Sequence, residues 1–172
     1  VNTVLNDNGK LIGYNTDGYG FMQSVRDAGH DITGKNITVM GVGGASMAIC
    51  AQSALDGAAS VHIFARRTSR YWNRTQKFAE NLSAKTGCQV CLFDNDDHTA
   101  LRDSIAQSYL LINATSVGMV PDIDDTIIKD TSLFHPELVV ADVVYEPQET
   151  RLLREAKAAG CQTFNGMYML LH

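Results

Sequence analysis

No run of about 18 apolar residues occurs, so no segment is expected to span a membrane. Basic residues are in the minority: 14 Lys and Arg stand against 19 Asp and Glu, for a formal net charge of -5. The chain therefore lacks the basic face that nucleic acid demands, although a few local Arg residues suffice to hold a small anion. Cysteine is scarce, with 4 in all: Cys50, Cys88, Cys91 and Cys161. Cys88 and Cys91 form a CxxC, but an odd separation within a strand points the two side chains to opposite faces. No second Cys pair or His pair completes a zinc set, so no metal is expected and the thiols read as ordinary buried groups. That use of cysteine fits a reducing, cytoplasmic setting. The opening Val1-Asn2-Thr3-Val4 lacks the basic start and apolar stretch of a secretory signal. It also lacks an initiating Met, so the chain is expected to be a piece of a longer one.

What is present suits one globular domain with a small appendage: 172 residues, 45% of them hydrophobic. Residues 1–14 read as a hairpin, with Thr3-Val4-Leu5 and Lys10-Leu11-Ile12 flanking the turn dipeptide Asn8-Gly9. Two strands are not stable alone, so the hairpin is expected at the edge of a further part. Phe21, Met22 and Val25 then recur at helical spacing, with Thr16 or Asp17 as cap and Gly29 as stop.

From about residue 31 a regular alternation begins. Strands are expected at Ile37–Val42, Val61–Phe64, Gln89–Phe93, Tyr109–Asn113, Leu138–Val144 and Gln162–Phe164. Helices are expected at Ala45–Leu55, Tyr71–Lys85, Thr99–Gln107 and Thr150–Ala159, and a last one begins at Met167–Leu171. Tyr71, Trp72 and Phe78 look like packing residues, and the five His like surface or satisfied core groups. Near-continuous apolar strands alternating with helices predict an α/β fold, a doubly wound parallel sheet of Rossmann type. The division is residues 1–30 as a remnant and connecting helix, and 31–172 as the dinucleotide-binding domain. Residues 118–136, with Pro121, Asp122, Asp124, Asp125 and Pro136, form the longest irregular stretch; loops of that length are more often functional than idle.

Gly41-Val42-Gly43-Gly44-Ala45-Ser46 follows the first strand of the alternation and opens a helix, the context a dinucleotide fingerprint requires. Gly41 allows the tight turn, and Gly43 lets the backbone approach a pyrophosphate. Ser46 is small enough for close helix–sheet packing. The free N–H groups and positive end of the helix then bind the anion; the plainer alternative is a tight turn and nothing more. At the end of the second strand stands Ala65-Arg66-Arg67-Thr68-Ser69-Arg70. It carries no acid for a ribose 2′-hydroxyl and three guanidinium groups for a 2′-phosphate, which favours NADP over NAD. The alternative is a solvated basic turn. Asn113-Ala114-Thr115-Ser116-Val117-Gly118-Met119 ends the fourth strand, where ligands of such sheets sit; an ordinary strand-to-loop transition explains it equally. Asp17, at a helix start, reads first as a cap.

Taken in order, these motifs resemble the shikimate dehydrogenase family. Those that carry the likeness are Val1-Asn2-Thr3, Gly13-Tyr14-Asn15-Thr16-Asp17-Gly18, Gly41 to Ser46, Asn113 to Met119, Asp142-Val143-Val144-Tyr145 with Pro147, Thr150-Arg151-Leu152-Leu153, and Asn165-Gly166 with Met169-Leu170. The likeness covers essentially the whole chain and is nearest the quinate/shikimate branch. It implies an N-terminal substrate domain, a C-terminal dinucleotide domain and a site in the cleft between them. It implies that Asp17 contacts substrate hydroxyls beside a Lys of the N-terminal domain, and that Asn2 and Tyr145 contact substrate. The same likeness makes Gly166 and Met169 line the nicotinamide, with Thr115, Ser116, Val117 and Val143 also on the cofactor. Arg66 and Arg70 would hold the NADP 2′-phosphate.

Three departures matter. The lysine-bearing motif is absent, since Lys10, Lys35, Lys77, Lys85, Lys129 and Lys157 all lie elsewhere. A substrate-binding Gln of the family falls just beyond His172. Ala65 and Arg67 replace an Asn and a Thr, which leaves NAD possible beside NADP. The implied reaction is reversible hydride transfer from shikimate to NADP, giving 3-dehydroshikimate, in the chorismate route to the aromatic amino acids. It would be run by a monomer or homodimer on a small-molecule substrate, with this piece alone inactive. Two other readings are a quinate/shikimate enzyme using NAD or NADP and a non-catalytic dinucleotide-binding module. A methylenetetrahydrofolate dehydrogenase-like enzyme is a third, against which Asn15-Thr16-Asp17-Gly18 argues.

Overall fold

A computed structural model describes residues 1–172. An antiparallel hairpin of β1 (Thr3–Asp7) and β2 (Lys10–Tyr14) leads into α1 (Asp17–Asp27). Then come β3 (Asn36–Met40), α2 (Gly44–Leu55), β4 (Ser60–Ala65), α3 (Trp72–Thr86), β5 (Gln89–Asp94), α4 (His98–Gln107), β6 (Leu110–Asn113), β7 (Val139–Asp142), α5 (Arg151–Ala158) and β8 (Gln162–Phe164). The six later strands form one parallel sheet in the order β5-β4-β3-β6-β7-β8. Counted from β3, that is the 3-2-1-4-5-6 order of a dinucleotide-binding sheet, and it reverses between β3 and β6.

Alternation along the strands divides the core in two. Ile37, Val39, Val61, Ile63, Leu110 and Ile112 face one layer with Phe21, Met22 and Val25 of α1 and Ile49, Cys50 and Ala54 of α2. Met40, Phe64, Leu111 and Val140 face the other, with Ile105 of α4 and Leu152, Leu153 and Ala156 of α5. The connecting helix α1 thus shares its apolar stripe with the sheet's own core, while both hairpin strands remain largely exposed. No helix is long and apolar enough to cross a membrane.

Several expectations are corrected by local geometry. The first strand stops at Met40, because Gly41 turns at φ +107. The fifth stops at Asp142, whose side chain captures the Val144 N–H that a longer strand would use. The last helix is a 3-10 segment, Gly166–Leu170, and not an α-helix. Neither Thr16 nor Asp17 caps α1 with its side chain; Asn15 Oδ1 instead accepts the Asp17 N–H at 3.0 Å. Residues 118–136 are irregular as expected, apart from a 3-10 turn at Thr131–Leu133, and Ile128 and Phe134 within them are buried in the second core layer. Tyr71 is 36% exposed and is not core packing. The cysteines form no disulfide, and burial pushes the Cys50 thiol up to about 12. His30 and His62 are satisfied by Tyr109 and Ser104, each at 2.9 Å, and burial lowers both pKa values.

Candidate functional site

The turn after β3 is built for close approach. A Cβ on Gly41 would meet Thr115 Cγ2 at 2.8 Å and the Ala114 carbonyl oxygen at 2.9 Å, so only glycine fits there, in conformation and in space. Gly43, extended at ψ -176, is the N-cap position of α2, and a Cβ on Gly43 or Gly44 would meet nothing within 4 Å. Both are exposed. Ser46, fully buried, donates its Oγ–H to the Gly41 carbonyl at 2.6 Å. It is thus a fastener for the turn as well as a small residue.

No side chain caps α2, and its first turn carries no acid. The first N–H groups of the helix and the positive end of its dipole therefore face open space at Gly43 and Gly44. A dinucleotide's pyrophosphate fits that donor set and that room.

Beside this turn, at the end of β4, Ala65 is buried and Arg66, Arg67 and Arg70 are exposed. The three guanidinium groups are not equivalent. Arg67 lies 4.8 Å from the centroid of Trp72, and Arg70 lies 4.7 Å from that of Tyr71 and donates to its hydroxyl. Arg66 is not stacked on a ring.

The ends of β6 and β7 form a second cluster. Asn113 and Asp142, opposite each other in register, are 1% and 0% exposed. Asn113 Nδ2 and the Val144 N–H donate to Asp142 Oδ1 at 3.0 and 2.9 Å, and Thr150 Oγ donates to Oδ2 at 2.8 Å. Burial pushes the Asp142 carboxyl up to about 6, against the opposite pull of these three donors. Thr115, Ser116, Val143, Val144 and Tyr145 line a hollow of about 330 Å³ above this web. Gly166 lies so near Val143 that a Cβ would fall 2.1 Å from its carbonyl oxygen.

A third cluster ties the hairpin to α1. Asn2 Nδ2 donates to Thr16 Oγ1 at 2.9 Å and to Asp17 Oδ1 at 2.7 Å, while Asn2 Oδ1 accepts the Thr16 N–H at 3.0 Å. Gly18 permits α1 to press on α2, since a Cβ there would sit 2.3 Å from the Ala48 carbonyl oxygen. Gly20 does the same against the Met169 carbonyl oxygen, at 2.6 Å. As a result Asn15 and Gly18 line the same cleft as Gly43 and Gly44, with a volume of about 590 Å³.

The structure thus gathers Gly41, Gly43, Gly44, Ala45, Ser46 and Thr115 at one turn, Val143, Tyr145 and Gly166 at another, and Asn2 with Asp17 at a third. Tyr145 lines the smaller hollow and is not on the cleft that Asn15 and Gly18 share with the glycine turn. Sequence reasoning gave no role to the Asn113–Asp142–Thr150 web or to the packing of Gly18, Gly20 and Gly166. The one available signal was a carboxylate at the end of an otherwise apolar strand.

Known proteins are similar to nearly the whole of this chain. A shikimate dehydrogenase (NADP(+)) of Listeria innocua is 49% identical over 171 residues, 99% of this chain and 58% of the relative. A crystal structure of shikimate 5-dehydrogenase from Listeria monocytogenes, in complex with shikimate and NAD, superposes with a TM-score of 0.92 at 47% identity, covering 98% of this chain and 58% of that one. Over nearly its whole length the chain is similar to shikimate dehydrogenases. A quinate/shikimate dehydrogenase of Escherichia coli is 41% identical over 171 residues, 99% of this chain and 59% of the relative. The chain therefore spans less than two thirds of the length of these family members. No protein-family model matches it.

Proposed function

We propose that this chain is the dinucleotide-holding part of a shikimate dehydrogenase, which interconverts shikimate and 3-dehydroshikimate with NADP on the route to chorismate and the aromatic amino acids. The observation that carries this reading is the shared cleft, which Asn15 and Gly18, on either side of Thr16-Asp17, line together with Gly43 and Gly44. A dinucleotide bound there supplies the hydride acceptor at its nicotinamide. The chain's residues do the rest. Gly43, Gly44 and the first N–H groups of α2 bind the pyrophosphate, with Gly41 and Ser46 fixing the turn. Arg66 and Arg70 meet a 2′-phosphate. Thr115, Ser116, Val117, Val143, Gly166 and Met169 bound the nicotinamide end.

Asp17 keeps one carboxylate oxygen on Asn2 and has the other to accept a substrate hydroxyl, which it orients while the departing proton passes to a base. Residues 1–30 connect to the part that supplies further substrate contacts, and four unpaired thiols suit a cytoplasmic setting. A second reading, a quinate/shikimate enzyme using NAD as well, is favoured by the engagement of Arg67 with Trp72 and by Ala65.

Asp17→Asn in the full-length protein tests the function. Asp17 does not cap α1, and an Asn carboxamide still accepts from Asn2, so the fold should persist. Turnover of shikimate or quinate with NADP or NAD should fall by about 10²-fold or more with cofactor affinity nearly unchanged. Near-normal turnover would show that the catalytic centre lies elsewhere.

A further inference from the structure

Asp142 is a carboxylate where packing alone would place an aliphatic side chain. Its neighbours Val139, Val140 and Ala141 fill β7 with apolar groups, yet the last position is a fully buried acid. A buried carboxylate is costly unless its neighbours supply hydrogen bonds, as three donors do here. The geometry around it shows what it organises. Through Oδ1 it accepts the Val144 N–H at 2.9 Å, which turns the chain off the sheet toward Tyr145. Through the same oxygen it accepts Asn113 Nδ2 at 3.0 Å.

Asn113 holds the opposite turn. Its Nδ2 also donates to the Val117 carbonyl at 3.1 Å, and its Oδ1 accepts the Thr115 N–H at 3.1 Å and the Thr115 hydroxyl at 2.6 Å. Thr115 Cγ2 in turn lies against Gly41. One carboxylate therefore links two turns that are 29 residues apart in the chain at their anchors. Thr150, at the start of α5, fixes its second oxygen at 2.8 Å.

We propose that Asp142 is a positioning residue that sets both walls of the hollow between Thr115 and Tyr145, and so the fit of the nicotinamide end of the dinucleotide. This rests on the dinucleotide reading above. Asp142 touches neither ligand; it acts through Val144 and Asn113. Its bonds surround the nicotinamide hollow and reach the glycine turn only through Thr115, whereas the Arg66–Arg70 stretch at the adenosine end shares none of them.

Calorimetric titration of the chain with NADP+ and with 2′,5′-ADP, which lacks the nicotinamide half, separates the ends. Asp142→Ala should weaken NADP+ by about tenfold or more and leave 2′,5′-ADP within about twofold. Asn113→Ala carries the same expectation if Asp142→Ala does not fold. Asp142→Asn should stay within about threefold of wild type for NADP+, since its amide oxygen can accept from Val144 and Asn113 while its NH₂ donates to the Thr150 hydroxyl. Equal weakening of both ligands would reduce Asp142 to a stability residue and overturn the proposal. Unchanged NADP+ affinity in folded Asp142→Ala and Asn113→Ala would overturn it too, as would an Asp142→Asn as weak as Asp142→Ala. A wild-type chain that binds neither ligand would instead overturn the dinucleotide reading, and this one with it.

Discussion

At the end of β3 the chain reverses through Gly41 to Gly44 and enters α2 with a single side-chain bond, Ser46 to the Gly41 carbonyl at 2.6 Å. At the ends of β6 and β7 two turns of similar size hang on a buried web of Asn113, Asp142, Thr115 and Thr150. The first end is made by omission: side chains are missing, so backbone N–H groups and a helix dipole are left facing outward. The second end is made by addition, with buried polar side chains that must all be satisfied at once. The first needs only local sequence. The second needs the sheet to be in register before its bonds exist.

The difference should show first in pH dependence. The glycine end contains no ionisable group, whereas burial raises the Asp142 carboxyl to about 6. A raised acid favours the protonated form in the folded chain. Its contribution to stability is therefore full below the unfolded value of about 4 and is lost as pH rises through about 6. Asp142→Asn does not ionise and still accepts from Val144 and Asn113, while its NH₂ can donate to the Thr150 oxygen. Its stability relative to wild type should thus improve by about 2 kcal/mol between pH 4 and pH 8, read by urea unfolding at each pH. A gap that stays constant with pH would contradict the burial of a titrating carboxyl there.

A smaller effect is expected at the adenosine end. Replacing Arg66 and Arg70 together by Ala should weaken NADP+ by about tenfold, ~1.4 kcal/mol, more than it weakens NAD+. Arg66→Ala should discriminate more than Arg67→Ala or Arg70→Ala, because Arg67 and Arg70 are each committed to an aromatic face and Arg66 is not. Equal losses for the two cofactors in the double variant would show that these side chains do not read the 2′ position.

The comparison also explains what the sequence made legible. Strand-helix alternation and the glycine turn are local patterns, and the parallel sheet with its reversal beside β3 follows from them. Ser46 was readable as small, but not as a bond to Gly41, because that depends on how far the turn folds back. Asn113 and Asp142 were visible as parts of motifs, yet their pairing comes from the β6–β7 register, which no short window contains. Gly18 and Gly166 read as turn or motif glycines. Their reason is the nearness of the Ala48 and Val143 carbonyls, again a matter of tertiary approach. Asp17 taken alone suggests a cap, because its hydrogen bond from Asn2 across the hairpin spans 15 residues and no short window contains it.

The central claim is that the Gly41–Ser46 turn holds a dinucleotide, and one measurement addresses it most directly: calorimetric titration of the chain and of its Gly43→Val variant with NADP+. A branched side chain at Gly43, where a Cβ now meets nothing within 4 Å, would stand where the pyrophosphate belongs. The variant should keep its circular dichroism spectrum and melting temperature and lose NADP+ affinity by about tenfold or more. A folded Gly43→Val chain that binds NADP+ as tightly as wild type would contradict the account.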